Sequence, residues 1–299
     1  MKRLKIEGVI VPLLTPLRDD KLDRNSTVAL IEYVIGHGVR GLFPLGTTGE
    51  GPLFSLAERK QYAEWVVQCA AGRVPVIVHS GTITTAETIE LSRHARDAGA
   101  DAVAVVPPYF FRLSDEAIYA HFAAVAAAVP DFPIYLYNNP GVTPNVLTTE
   151  LVIRLATAFS NVTGLKDSSG SLSTLFASKD LQDGAFNTAS GPDGLILAAQ
   201  AIGLDACVSG NANIVPELVV ALLDAAKAGD LEQGRRLQAR LDEVRRIVGD
   251  GADLSLYKAI CARRGVPIGD VRAPLAKAPA ERISACWEQL SDVLALSVQ

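Results

Sequence analysis

Asn161-Val162-Thr163-Gly164-Leu165-Lys166-Asp167-Ser168-Ser169-Gly170 is a short apolar run that ends in a lysine and passes straight into turn residues. Read as a strand whose side chains alternate between faces, it puts Val162, Gly164 and Lys166 on one face. A lysine on an inward face is costly. Removal from water disfavours the ammonium and leaves a free amine able to attack a carbonyl carbon. A strand end can equally carry a lysine that points into water. The residues around the run decide between these two readings.

Runs of the same character recur at 8–14, 41–44, 74–79, 102–106, 133–137, 185–189 and 206–209, which with 162–166 makes eight. Segments with apolar residues at helical spacing lie between them, and several carry start signals. Ser26-Thr27 precedes a predicted helix over 28–38, and Ser55, with Glu58 at the capping-box position, precedes one over 56–71. Thr84-Thr85, Ser114 and Thr148-Thr149 precede helices predicted over 86–98, 115–129 and 150–159. The remainder reads as helices over 216–227, 231–248, 254–264 and 279–296. Eight buried strands alternating with helices in about 225 residues predict a TIM (β/α)8 barrel over residues 1–228, with a C-terminal helical extension over 229–299. A doubly wound open sheet is the alternative.

The chain has 299 residues, 49% of them hydrophobic, enough for a barrel-sized core. Its net charge of -5 argues against a nucleic-acid partner, since Arg235-Arg236, Arg245-Arg246 and Arg263-Arg264 sit in mixed-charge helical segments. Pro12 interrupts the first apolar run, and no stretch has the ~18 apolar residues of a membrane span, so no membrane association and a cytoplasmic location are expected. Cys69, Cys207, Cys261 and Cys286 are widely spaced, and neither they nor the four histidines show metal-site spacing. No catalytic metal and no cofactor are expected.

In a β/α barrel the chemistry gathers at the C-terminal strand ends. There the sequence places Gly46-Thr47-Thr48-Gly49-Glu50 after the second run and Tyr109-Phe110 after the fourth. Tyr137-Asn138-Asn139-Pro140, Lys166, Ser190-Gly191-Pro192-Asp193 and Ser209-Gly210-Asn211 close the fifth to eighth. The glycine loop offers hydroxyls and backbone N–H groups suited to a carboxylate, and lacks the endings of nucleotide-binding loops.

Together the 46–50, 137–140 and 164–170 motifs resemble the dihydrodipicolinate synthase and N-acetylneuraminate lyase family of class I aldolases. The resemblance extends to Val9-Pro12-Leu13-Thr15-Pro16 in the first run, to the turns at 190–193 and 208–213, and to 270–275. It implies a barrel with a helical extension, assembled as a homotetramer (a dimer of dimers), in which Lys166 forms an imine with pyruvate or another small 2-oxo acid. By the same matching Tyr137 shuttles protons, Thr48 hydrogen-bonds Tyr137, and Thr47 with its loop holds the 2-oxo acid carboxylate. Gly191, Asp193, Val208 and Ser209 become further substrate-binding candidates, with Asn211, Ser168 and Ser169 beside them.

Two departures stand out. Where the synthase branch carries an arginine that grips aspartate semialdehyde, this chain has Val142, which removes a charge-assisted clamp. Where a neighbouring subunit contributes a relay tyrosine, this chain has Phe110, with Tyr109 one residue earlier. The expected function is therefore a Schiff-base lyase that cleaves or dehydrates a 2-oxo-3-deoxy sugar acid. The alternatives are 4-hydroxy-tetrahydrodipicolinate synthase and a non-catalytic 2-oxo acid binding protein.

Overall fold

In the computed structural model, which describes residues 4–249, 251 and 253–295, the eight apolar runs pair as parallel strands. The strands, in chain order, are β1 (Gly8–Val11), β2 (Leu17–Arg18), β3 (Lys21–Leu22), β4 (Gly41–Leu42), β5 (Ile77–His79), β6 (Ala102–Val105), β7 (Ile134–Asn138), β8 (Val162–Asp167), β9 (Asn187–Ser190) and β10 (Ala206–Val208). Eight of them run in the order β4-β1-β10-β9-β8-β7-β6-β5, and a single bridge between Leu42 and Val76 joins the two ends into a ring. The fold is the TIM barrel. Several strands are shorter than their apolar runs because Pro12, Pro44 and Pro75 have no N–H to give to the ladder.

β2 and β3 form an antiparallel ribbon outside the barrel, with Leu17 opposite Leu22. Asp19 and Asp20 turn its corner at φ 50° and 61°, the left-handed pair of a tight hairpin. Two-residue strands show no periodicity, so nothing in the pattern announces them.

Alternation along the strands divides the apolar residues into two sets. Ile10, Phe43, Ile77, Ala104, Tyr135, Tyr137 and Val208 fill the inside of the ring. Val9, Val11, Val78, Val103, Leu136 and Leu165 face the surrounding helices. The strict period fails at one place. Ile134 pairs with Val162 but Tyr135 pairs with Gly164, so β8 carries an extra residue at Thr163. Val162 therefore joins the outward set, while Gly164 and Lys166 face inward. The expected common face of Val162, Gly164 and Lys166 is corrected to the last two, since a period of two cannot register a bulge.

The helices are α1 (Arg24–Gly36), α2 (Leu56–Ala70), α3 (Thr85–Asp97), α4 (Asp115–Ala128), α5 (Thr149–Ala158), α6 (Ser173–Ser178), α7 (Leu181–Gly184), α8 (Ile196–Ala201), α9 (Pro216–Lys227), α10 (Leu231–Val248), α11 (Leu254–Arg263) and α12 (Ala280–Ala295). Ser55 and Glu58 complete the capping box of α2 in both directions, at 3.3 Å and 2.9 Å. Thr84, Ser114 and Thr148 cap α3, α4 and α5. α1 begins earlier than expected. Asp23, and not Ser26 or Thr27, is its cap, accepting from the N–H groups of Asn25 and Ser26. After β8 and β9 the connecting helices are short, and α7 is a turn with Gln182 and Asp183 left-handed. The expected end of the last helix at Leu296 lies outside the described residues. α10 packs on α8, α9 and α12, and α11 packs on α12.

Gly164 has a packing reason to be glycine. A Cβ there would lie 2.6 Å from the Tyr135 ring and 2.8 Å from the Asn187 carbonyl oxygen. The Tyr135 hydroxyl donates to Asn187 Oδ1 at 2.7 Å, so the ring cannot swing away without breaking that bond. Gly164→Ala is expected to destabilise the fold by about 1–3 kcal/mol, the usual range for overpacking a core. Urea unfolding checks this, and an unchanged midpoint would contradict the packing described.

Candidate active site

β7 and β8 bring Tyr137 and Lys166 side by side, because their backbones are direct register partners and both side chains face inward. Lys166 is 6% exposed, so it is removed from bulk water. Its Nζ lies 4.0 Å from the Tyr137 ring centroid and 4.4 Å from that of Phe43. Two aromatic faces thus flank the amine.

The Tyr137 hydroxyl is held from two sides. Asn139 Nδ2 donates to it at 2.8 Å, and Thr47 Oγ1 lies 3.3 Å away. Burial works against its phenolate, but the charge at Lys166 and the hydrogen bonds of Thr47, Asn139 and Lys166 outweigh it. Tyr137 therefore ionises below the ordinary phenol value. The expected Thr48 contact is corrected: Thr47 meets the phenol, while Thr48 turns toward Gly210, after β10. Consecutive residues of a tight turn point apart, and the motif alone does not say which one faces Tyr137. Asn139 donates the 2.8 Å bond to the same phenol, and no spacing signals that role.

Glycine geometry fixes the Thr47 loop. A Cβ on Gly51 would meet the Leu45 carbonyl oxygen at 1.8 Å, and one on Gly49 would meet that of Leu13 at 2.8 Å. The Thr15 hydroxyl donates to the Gly49 carbonyl at 2.6 Å and ties the loop to the end of the first apolar run.

Two cavities open at this mouth and share Thr47, Thr48, Tyr137 and Gly251 as a wall. The smaller, about 290 Å³, holds Lys166, Ser168, Gly191, Asp193, Val208 and Asn211. Asn211 Nδ2 donates to Asp193 Oδ2 at 2.5 Å, and the Tyr257 hydroxyl donates to Asn211 Oδ1 at 2.9 Å. Burial raises the Asp193 carboxyl above the usual range against the hydrogen bonds of Ser209 and Asn211 and the charge of Arg245. Ser209 itself caps the turn Gly210–Asn213, accepting from the Ala212 N–H at 3.2 Å. Ser169 likewise makes a turn, donating to Asp167 Oδ1.

The larger cavity, about 430 Å³, has a mainly apolar wall that includes Val106, Val142, Leu254 and Leu275. Tyr109 also lines it, whereas Phe110 is 80% exposed at φ 85°. His79, which no motif singles out, stands beside Phe43 and Tyr137, its ring 5.7 Å from that of Tyr137. Its Nδ1 lies 3.0 Å from the Leu45 carbonyl, so that nitrogen carries the proton. Burial, then the charges of Arg59 and Lys166, keep its pKa well below the ordinary imidazole value, and the ring is a neutral wall. Among the described residues no group of three or more His, Cys, Asp or Glu could hold a metal ion. No described helix is long and apolar enough to cross a membrane.

A β/α barrel that encloses a lysine beside a phenol, under a glycine loop bearing two hydroxyls, has the architecture of a Schiff-base lyase. The chain belongs to the dihydrodipicolinate synthetase family, whose profile matches residues 5–292, and it is an enzyme of the lyase class. It is 38% identical over 269 residues to a 4-hydroxy-tetrahydrodipicolinate synthase of Rhizobium meliloti, covering 90% of this chain and 92% of the relative. It is 37% identical over 273 residues to an uncharacterised DapA-like lyase of Halobacterium salinarum, covering 91% and 89%. Among solved structures, YagE, a prophage protein of the dihydrodipicolinic acid synthase family from E. coli K12 in complex with pyruvate, superposes with a TM-score of 0.90 at 32% identity, covering 96% of this chain and 98% of that one.

Because Thr47 touches the phenol, Thr47→Val is expected to move the Tyr137 ionisation upward toward the ordinary phenol range, and Thr48→Val to leave it in place. Ultraviolet difference titration against a Tyr137→Phe reference reads both. Equal shifts from the two variants would contradict the geometry.

Proposed function

We propose that Lys166 attacks the carbonyl carbon of a 2-oxo acid such as pyruvate and forms an imine. The amine nitrogen bonds to carbon and passes one of its protons to the carbonyl oxygen, Tyr137 supplies the second, and the oxygen leaves as water to give the protonated imine. The imine is then an electron sink, so an adjacent C–C bond can form or break, or an adjacent proton can leave. The Thr47 and Thr48 hydroxyls and their loop backbone hold the carboxylate. One observation carries the reading: the Lys166 amine is enclosed over a phenol that is itself held by Thr47 and Asn139. The pyruvate complex of YagE supports the same choice of 2-oxo acid.

The second half of the reaction has two candidates. Condensation with aspartate semialdehyde has the stronger support from comparison, because curated relatives at 36–38% identity are named 4-hydroxy-tetrahydrodipicolinate synthase. Cleavage or dehydration of a 2-oxo-3-deoxy sugar acid is favoured by a specific observation. Val142, at the place of the carboxylate-gripping arginine, is half-exposed on an apolar wall. Parallel assays with aspartate semialdehyde plus pyruvate and with a panel of 2-oxo-3-deoxy sugar acids decide between them.

Borohydride reduction in the presence of pyruvate is expected to leave a covalent adduct on Lys166, mapped by mass spectrometry, and none in Lys166→Arg. A wild-type enzyme without adduct would remove the imine mechanism. Tyr137→Phe is expected to form the imine while turnover falls ~100-fold or more, the scale of a lost proton shuttle. Turnover close to wild type would exclude the phenol from the chemistry.

A further inference from the structure

Glu50 follows the two threonines of the glycine loop and lines the larger cavity, yet its carboxylate is buried in the protein. Its side chain and that of Lys258, on α11, are both 0% exposed, and the two form an ion pair at 2.7 Å. Each partner is also anchored elsewhere. Glu50 Oε2 accepts from the Arg272 backbone N–H at 2.8 Å, and Lys258 Nζ donates to the Asp270 carbonyl at 2.8 Å. Both Glu50 oxygens are thus directed at the C-terminal part of the chain.

Three further observations converge on this point. Glu50 holds a left-handed backbone, φ 56° and ψ 23°, which a residue with a Cβ adopts only when its surroundings impose it. The flanking Gly49 and Gly51 have no space for a side chain, so the loop has a single way to lie. Arg272 adds a second clamp, pairing with Glu58 at 2.7 Å and stacking 4.4 Å over the Phe54 ring, just past the loop. A buried ion pair is a poor device for raw stability, because an apolar pair of similar volume does as well or better. It is a good device for fixing position, since a small shift leaves two buried charges unmatched.

We propose that Glu50 and Lys258 are a positioning pair, through which the C-terminal segment sets the geometry of Thr47 and Thr48 and with it the affinity for the 2-oxo acid carboxylate. The proposal rests on the imine reading above. It assigns the C-terminal helices a part in substrate binding although neither Glu50 nor Lys258 touches the reacting atoms.

The test compares wild type with Glu50→Gln/Lys258→Met, which removes both charges and keeps an oxygen for the Arg272 N–H. Borohydride trapping over a range of pyruvate concentrations yields a half-saturating concentration and a limiting rate. The variant is expected to need ~10-fold more pyruvate, within the usual span of coupling between sites. Its limiting rate should change by less than ~3-fold, the signature of lost ground-state positioning. A variant with wild-type half-saturation overturns the proposal. Hydrogen exchange on the unmodified sequence provides a readout independent of any folding defect. Trapping pyruvate on Lys166 is expected to slow exchange of the Arg272 amide, and an unchanged rate there also overturns the proposal. Wild type that gains no adduct at all refutes the imine reading itself, which separates the two failures.

Discussion

An amine enclosed by two ring faces, Phe43 and Tyr137, is the constraint to which the inner surface of this barrel conforms. Three large side chains cannot meet inside an eight-stranded ring unless other strands give up volume. Ala102, Ala104, Ala189 and Ala206 do so on β6, β9 and β10, and Gly164 does so on β8 itself, below the lysine. Tyr135 then fills the layer under Tyr137, with its hydroxyl on Asn187. Asn187 in turn bonds the backbone of Ile6, so the polar groups of the barrel floor are paired. The small inward residues are the complement of the socket and not a weakness of the core.

Much of this was readable in the order of residues. Eight apolar runs, their alternation and the caps at Ser55, Thr84, Ser114 and Thr148 are local signals, and local physics determines them. What escaped were features decided by neighbours distant in sequence. The extra residue at Thr163 depends on how β8 meets β7, and no pattern within one strand records it. Asp23 outcompetes Ser26 as a cap because its carboxylate both accepts the first N–H groups of α1 and pairs with Arg18 at 2.9 Å. At the mouth, the strand ends placed Tyr137 and Lys166 together, but the choice between Thr47 and Thr48 depended on the turn's orientation. His79 was invisible as a wall of the site because a lone histidine in an apolar run carries no spacing to interpret.

Charge is distributed unevenly between surface and interior. Exposed pairs such as Lys60 with Glu90 and Arg154 with Glu116 decorate the helices, and pairs of this kind contribute about 0–1 kcal/mol each. They do not decide where the glycine loop lies. Breaking a fully buried pair by removing one partner costs about 3–5 kcal/mol, several times more. Glu50 with Lys258 is such a pair, and it joins the loop before α2 to the helix α11, more than two hundred residues later in the chain. The helices beyond the barrel are therefore tied to the loop by a contact that neither partner can leave without burying an unmatched charge.

The two cavities at the mouth offer different chemistry to whatever follows imine formation. One presents Ser168, Asp193 and Asn211, polar side chains of the kind that hydrogen-bond hydroxyl groups. The other presents Val106, Val142, Leu254 and Leu275, and a carboxylate pressed against them would lose water without gaining a charge-assisted bond. Identity of 36–38% to named synthases speaks for the shared barrel and the shared imine, which depend on many residues. Val142, where the resemblance to the synthase branch implies an arginine, offers an acidic aldehyde no charge-assisted bond. Overall identity and the residue at 142 therefore bear on different levels of the same enzyme, the first on the barrel and its buried lysine, the second on the apolar wall beside them.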